Sequence, residues 1–157
     1  SITGHLVVST LHTNSAASTI TRLADMGLPE YLIADSTVGI IAQRLVRRLC
    51  PRCKKKVLAN ADQLELLGFG PDEQVEIYEP VGCSSCDNNG FKGRIGVYEI
   101  MEVTPKVRKV IASGEDAEHI KQAALEEGMY TLRMSATNYV LEGITSVSEM
   151  IKVSFDS

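Results

Sequence analysis

Tryptophan is absent and phenylalanine occurs only three times, which leaves few flat rings on which successive bases could stack. Long hydrophobic runs are missing too. Apolar stretches such as Leu6 to Val8 and Val38 to Ala42 fall far short of the roughly 18–20 residues needed to cross a bilayer. There is no basic excess: a net charge of −4 gives no general reason to expect nucleic acid as a partner. Nothing resembles a signal peptide, and the chain holds no internal repeat or low-complexity tract. What is present suits a globular protein: 157 residues, 44% hydrophobic and 23% charged, are enough to bury a core as one domain or as one domain plus a satellite.

The cysteines carry the clearest chemical signal. Cys50/Cys53 and Cys83/Cys86 form two Cys-x-x-Cys pairs, each able to offer two thiolates from one tight turn, so that together they complete a tetrahedral S₄ site. Pro51 fixes φ in the first turn, while Gly82 and Asn89-Gly90 supply flexible or positive-φ positions around the second. Closing the loop between the pairs costs entropy that grows only logarithmically with length, whereas a structural zinc contributes an apparent ~10–16 kcal/mol. Three alternatives stand beside one structural zinc. Disulfides suit small, cysteine-dense secreted chains; a redox Cys-x-x-Cys usually occurs singly, near a strand-to-helix junction; and iron accepts the same four ligands.

Charge is uneven around these pairs. Arg44, Arg47, Arg48, Arg52 and Lys54 to Lys56 form a basic run without an acid, whereas Val57 to Gly82 carries only acids, Asp62, Glu65, Asp72, Glu73, Glu76 and Glu79. A solvated face accounts for such runs; the functional alternative is an anionic-ligand surface or a subunit interface, because opposite patches can meet in a ring of copies.

The segment His5-Leu6-Val7-Val8-Ser9-Thr10-Leu11 is nearly continuously apolar, the pattern of a strand covered on both faces in a parallel sheet. Such a strand needs neighbours that precede it, so the chain reads as the C-terminal piece of a larger protein, cut inside an α/β domain. A helix capped by Asn14 or Ser15 follows and ends at Gly27; Pro29 opens a second that continues through Ile40 and Ile41, and Leu45 to Leu49 forms a strand into Cys50. Residues 50–103 read as a metal-stapled insert with a helix over Ala61 to Leu67 and strands over Val75 to Tyr78 and Gly93 to Met101. Helices then start at Thr104-Pro105, Asp116 and Thr131, and Ser146-x-x-Glu149 is a capping box for the last.

The polar loop after the first strand is the second chemical signal. In open α/β sheets ligands gather beyond the carboxyl ends of strands, and His12, Thr13 and Asn14 lie at such an end beside a helix N-terminus, where an anion fits. His12 could donate to a phosphate oxygen, orient a water or act as an acid/base; the plain alternative is a loop histidine with only a local hydrogen bond. His5 reads as a supporting residue and His119 as helix surface.

Gly4-His5-Leu6-Val7-Val8-Ser9-Thr10-Leu11-His12-Thr13-Asn14 resembles the histidine box of the ATPases that drive type II secretion and type IV pilus assembly. Ala42 to Cys53, Gly82 to Cys86 and Gly90 to Glu99 are similar, in order, to that family's tetracysteine zinc region, and Leu132-Arg133 and Gly143 to Glu149 to its C-terminal helices. The resemblance implies an α/β fold: residues 1–49 as the C-terminal part of a RecA-like parallel-sheet core, 50–103 as a zinc-binding subdomain, and 104–157 as a small helical subdomain. It implies a homo-hexameric motor, cytoplasmic and peripheral at the inner membrane, that uses ATP and Mg²⁺ to move an inner-membrane platform protein. Catalytic roles then fall to His12, near the γ-phosphate, with His5 in support. Nucleotide contacts fall to Thr13, Asn14 and Arg44, and the structural zinc to Cys50, Cys53, Cys83 and Cys86.

One departure from the family pattern matters. A P-loop needs Gly-Lys followed by Ser or Thr, and the chain has no Gly-Lys dipeptide and no strand-borne acidic pair. The 157 residues alone are therefore expected neither to bind ATP tightly nor to hydrolyse it. Two other classes remain: a zinc-ribbon nucleic-acid module built on the Arg44–Lys56 run, and a non-catalytic adaptor that docks on a platform protein.

Overall fold

A computed structural model describes residues 4–155. The first regular element is α1 (Ala16–Asp25), closed at its start by a reciprocal capping box: Ser15 Oγ accepts the Ser18 N–H at 3.2 Å, and Ser18 Oγ accepts the Ser15 N–H at 3.0 Å. It ends where Gly27 takes φ +89° and donates to the Ala24 carbonyl. Then come α2 (Glu30–Ser36), β1 (Gly39–Leu49), β2 (Lys55–Leu58), α3 (Ala61–Leu67), β3 (Glu76–Glu79), a 3₁₀ turn over Ser84–Cys86, and β4 (Phe91–Glu102). Four helices close the order, α4 (Pro105–Ala112), α5 (Ala117–Glu126), α6 (Leu132–Leu141) and α7 (Val147–Phe155).

These elements form two compact units, each assembled from two stretches of chain: Ser1–Ala42 with Tyr98–Thr131, and Gln43–Val97 with Leu132–Ser157. In the first, α1, α2, α4 and α5 pack around Ala16, Ile20, Ile33, Met101, Val107, Ile111 and Ile120, all buried. Local chemistry starts each late helix. Thr104 Oγ1 accepts the Val107 N–H with Pro105 at N1, and Asp116 accepts the His119 N–H at 3.0 Å. In the second unit, α6 packs on α7 and β3, and α7 on α3, burying Leu64, Ile77, Leu132, Val140 and Met150.

Both ladders are two-stranded. β2 pairs antiparallel with β3, Lys55 opposite Glu79 and Leu58 opposite Glu76. β1 pairs with β4; the Val103 N–H donates to the Val38 carbonyl at 3.0 Å and the Cys50 N–H to the Gly90 carbonyl at 2.9 Å, so opposite ends meet and this pair also runs antiparallel.

Two expectations are corrected. Residues 5–11 form no strand: Leu6, Val7 and Val8 are 83%, 69% and 87% exposed. A strand exists only as part of a ladder, and no described segment pairs with this one, so no parallel sheet forms among the described residues. The second helix stops at Ser36 rather than running through Ile41, because Thr37-Val38-Gly39-Ile40-Ile41 combines β-branched residues with a glycine, all poor in a helix, and β4 offers them a ladder. By packing, α4 and α5 belong to the first unit, and α6 and α7 to the second.

Candidate metal centre and histidine loop

Two turns bring four sulfurs together in the second unit. In the first turn the Cys53 and Lys54 N–H groups donate to the Cys50 carbonyl at 3.3 and 3.0 Å. In the second, the Cys86 and Asn88 N–H groups donate to the Cys83 carbonyl at 3.1 and 3.0 Å. The second turn needs unusual backbone. Asp87 and Asn88 take φ of 50° and 58°, and Gly82 takes 111°, where an added Cβ would stand 2.7 Å from the Asn88 carbonyl oxygen. Gly82 was expected at such a position; Asp87 and Asn88 were not, although both residue types tolerate left-handed backbone.

All four Sγ atoms lie within 4.8 Å of one another, with Cys50–Cys83 at 3.9 Å, Cys53–Cys86 at 3.7 Å and Cys83–Cys86 at 3.8 Å. A metal bound tetrahedrally at about 2.3 Å from each sulfur places them about 3.8 Å apart, so the donor set fits such an ion. None of the four is in a disulfide. The thiols also differ. Burial pushes Cys53 up, and the neighbouring thiols add to this against a Gly82 N–H donor, to about 11. Burial pushes Cys86 up as well, but N–H donors from Cys83 and Gly90 outweigh it and bring it to about 7. Four crowded thiols cannot all ionise without a cation among them.

The first turn is tied to the C-terminal helices by charge. Glu149, 4% exposed on α7, accepts the Arg47 N–H at 2.9 Å on Oε2, and on Oε1 the Arg47 Nε and Nη2 at 3.1 and 2.8 Å and the Lys152 Nζ at 2.6 Å. The Arg47 guanidinium also covers Phe91, 4.0 Å from the ring centroid. Thr145 Oγ1 donates to the Arg47 carbonyl, the Leu49 N–H to the Ile144 carbonyl, and Lys54 Nζ to the Gly143 carbonyl. Burial alone would raise the Glu149 carboxyl, but the hydrogen bonds from Arg47 and Lys152 dominate and hold it at about 2. The predicted capping box is thus half formed. Ser146 Oγ accepts the Glu149 N–H at 3.4 Å, while the carboxylate turns to Arg47. An acid in a helix's first turn, in a chain with an acid-free arginine run, is the sequence signal for this pair.

Part of the charge polarity is matched within the chain. The β2–β3 register sets Lys55 opposite Glu79, and Lys56 Nζ reaches the Glu76 carboxylate at 2.8 Å. Both partners are exposed, so the pair adds little stability.

The histidine loop lies in the first unit. His5, His12 and Asn14 are exposed and Thr13 half-buried, its Oγ1 2.7 Å from Thr19 Oγ1 on α1. The helix end offered to an anion is already engaged: the Ala16 N–H donates at 2.8 Å to Oε1 of Glu99, a carboxylate only 2% exposed. Sequence reasoning missed Glu99 in this role, since it stands 83 residues away. Arg44 is half-buried on β1 in the second unit, with its Nη1 donating to the Gln43 carbonyl at 3.0 Å. No described helix is long and apolar enough to cross a membrane.

Comparison with known proteins extends the geometry. The type IV pilus assembly ATPase TfpB of Acinetobacter baylyi is 42% identical over 156 residues, 97% of this chain and 26% of that protein. The type IV pilus assembly ATPase PilB of Pseudomonas aeruginosa is 44% identical over 157 residues, covering 98% of this chain and 27% of its own length. The type II secretion system ATPase E of Vibrio cholerae is 39% identical over 157 residues, covering 100% and 31%. The chain therefore spans about a quarter to a third of the length of these curated relatives. Residues 1–152 match the family of Type II/IV secretion system proteins, and with similarity along nearly its whole length the chain belongs to that family.

Proposed function

We propose that the chain is the C-terminal part of an ATPase that powers type IV pilus assembly or type II secretion. The observation that carries this reading is the likeness of almost the entire chain to proteins named as such ATPases. The tetracysteine cluster agrees with it: the thiolate donor set and near-tetrahedral spacing suit one zinc, held as a closed structural site by Cys50, Cys53, Cys83 and Cys86. Residues 1–49 supply the end of a RecA-like core, 50–103 the zinc subdomain and 104–157 the helical part, a functional division laid over two spatial units.

In this reading ATP and Mg²⁺ bind where an upstream P-loop meets the histidine loop. His12 contacts or senses the γ-phosphate, His5 supports it, Thr13 and Asn14 add polar contacts, and Arg44 serves the nucleotide or a neighbouring subunit. The full-length protein is a hexamer at the cytoplasmic face of the inner membrane, acting on a platform protein. The nucleic-acid module and the non-catalytic adaptor are not favoured, since the relatives are named as ATPases and the overall charge is negative. The test is ATP turnover. The full-length protein should hydrolyse ATP, His12→Ala should lower its turnover with the fold intact, and the 157-residue chain alone should show none. Mg²⁺-dependent turnover by that chain, or wild-type turnover in the variant, would contradict the assignment.

A further inference from the structure

We propose that Glu99 is a positioning residue for the histidine loop, an inference that rests on reading that loop as part of a nucleotide site. Glu99 shares the inward register of β4 with Met101, a place where an apolar side chain would pack without loss of hydration. A carboxylate is costly there unless bonded. It accepts the N–H of Ala16, the first residue of α1 and two residues beyond Asn14. The Ser15–Ser18 capping box closes the same turn, and Thr13 is held against Thr19. Glu99 thus anchors the start of α1 across 83 residues of sequence.

Two consequences follow. The start of α1 is held in place relative to β4, which fixes the exit of the loop carrying His12. The positive end of α1 is also satisfied by this chain's own carboxylate, so phosphate recognition in the loop falls to the side chains of His12, Thr13 and Asn14 rather than to the helix terminus.

Glu99→Ala, Glu99→Gln and Glu99→Asp in the full-length protein test this, with ATP turnover read as separate kcat and KM. Misplacing a group that acts in the transition state lowers kcat, so Glu99→Ala should lose about tenfold in kcat with KM changed less than about twofold. Glu99→Gln, whose amide oxygen still accepts the Ala16 N–H, should keep at least about half of kcat, and Glu99→Asp, one methylene short, should fall in between. Wild-type kcat in Glu99→Ala would overturn the proposal. So would a Glu99→Gln variant as slow as Glu99→Ala, since charge and not the bond would then matter. Where Glu99→Ala does not fold, the order of the Gln and Asp variants decides: Asp faster than Gln overturns it. His12→Ala run in parallel separates the two failures. An inert His12 removes the loop's role and this inference with it, whereas a slow His12→Ala beside a normal Glu99→Ala removes this inference alone.

Discussion

Glu149 and Arg47 hold together two parts of the second unit that stand 102 residues apart in sequence. The carboxylate is buried and fully engaged, while Arg47 is half exposed, so the pair lies between a surface bridge and a buried one. Glu149→Ala should cost about 2–3 kcal/mol in denaturant unfolding, below the range for a fully buried pair. The acid dependence follows from the shift. The carboxyl is held at about 2 in the folded protein against 4.5 for an ordinary glutamate, so its contribution is complete above about pH 4.5 and fades as pH falls towards 2. The stability difference between wild type and Glu149→Gln should therefore shrink steadily between pH 5 and pH 2.5, as read from urea midpoints. A difference independent of pH would mean that the charge on Glu149 does not stabilise the fold.

Among the elements, those fixed by neighbours in sequence were legible. α3 covers the expected Ala61 to Leu67, Thr104-Pro105 starts α4, and Asp116 starts α5, because each cap bonds a backbone group three residues away. The four cysteines were legible for the same reason, each pair being a local turn. Elements that depend on distant partners were not. The apolar run at residues 5–11 has strand composition without a ladder, β1 began six residues before the expected Leu45 because β4 pairs with it, and Glu99 and Glu149 find their partners across the chain. The second cysteine turn gives a test at this scale. Gly82→Ala forces a Cβ against the Asn88 carbonyl at positive φ, a strain of about 1–3 kcal/mol. Its expected result is weaker metal retention in a chelator competition and a lower melting temperature; unaltered retention would show that the turn relaxes freely.

For the whole molecule, the different buried residues of the two units imply separate responses to loss of a metal held by the four cysteines. Chelation should remove amide protection mainly from Gln43–Val97 and Leu132–Ser157, while α1, α2, α4 and α5 keep theirs, as hydrogen exchange would show. Loss of protection across both units together would mean that the metal supports the whole chain. One zinc is expected to close the four-cysteine site. X-ray absorption on the purified protein tests it most directly, and the prediction is one zinc per chain with four sulfur neighbours at about 2.3 Å; iron, nitrogen or oxygen ligands in place of sulfur, or an absence of bound metal, would contradict it.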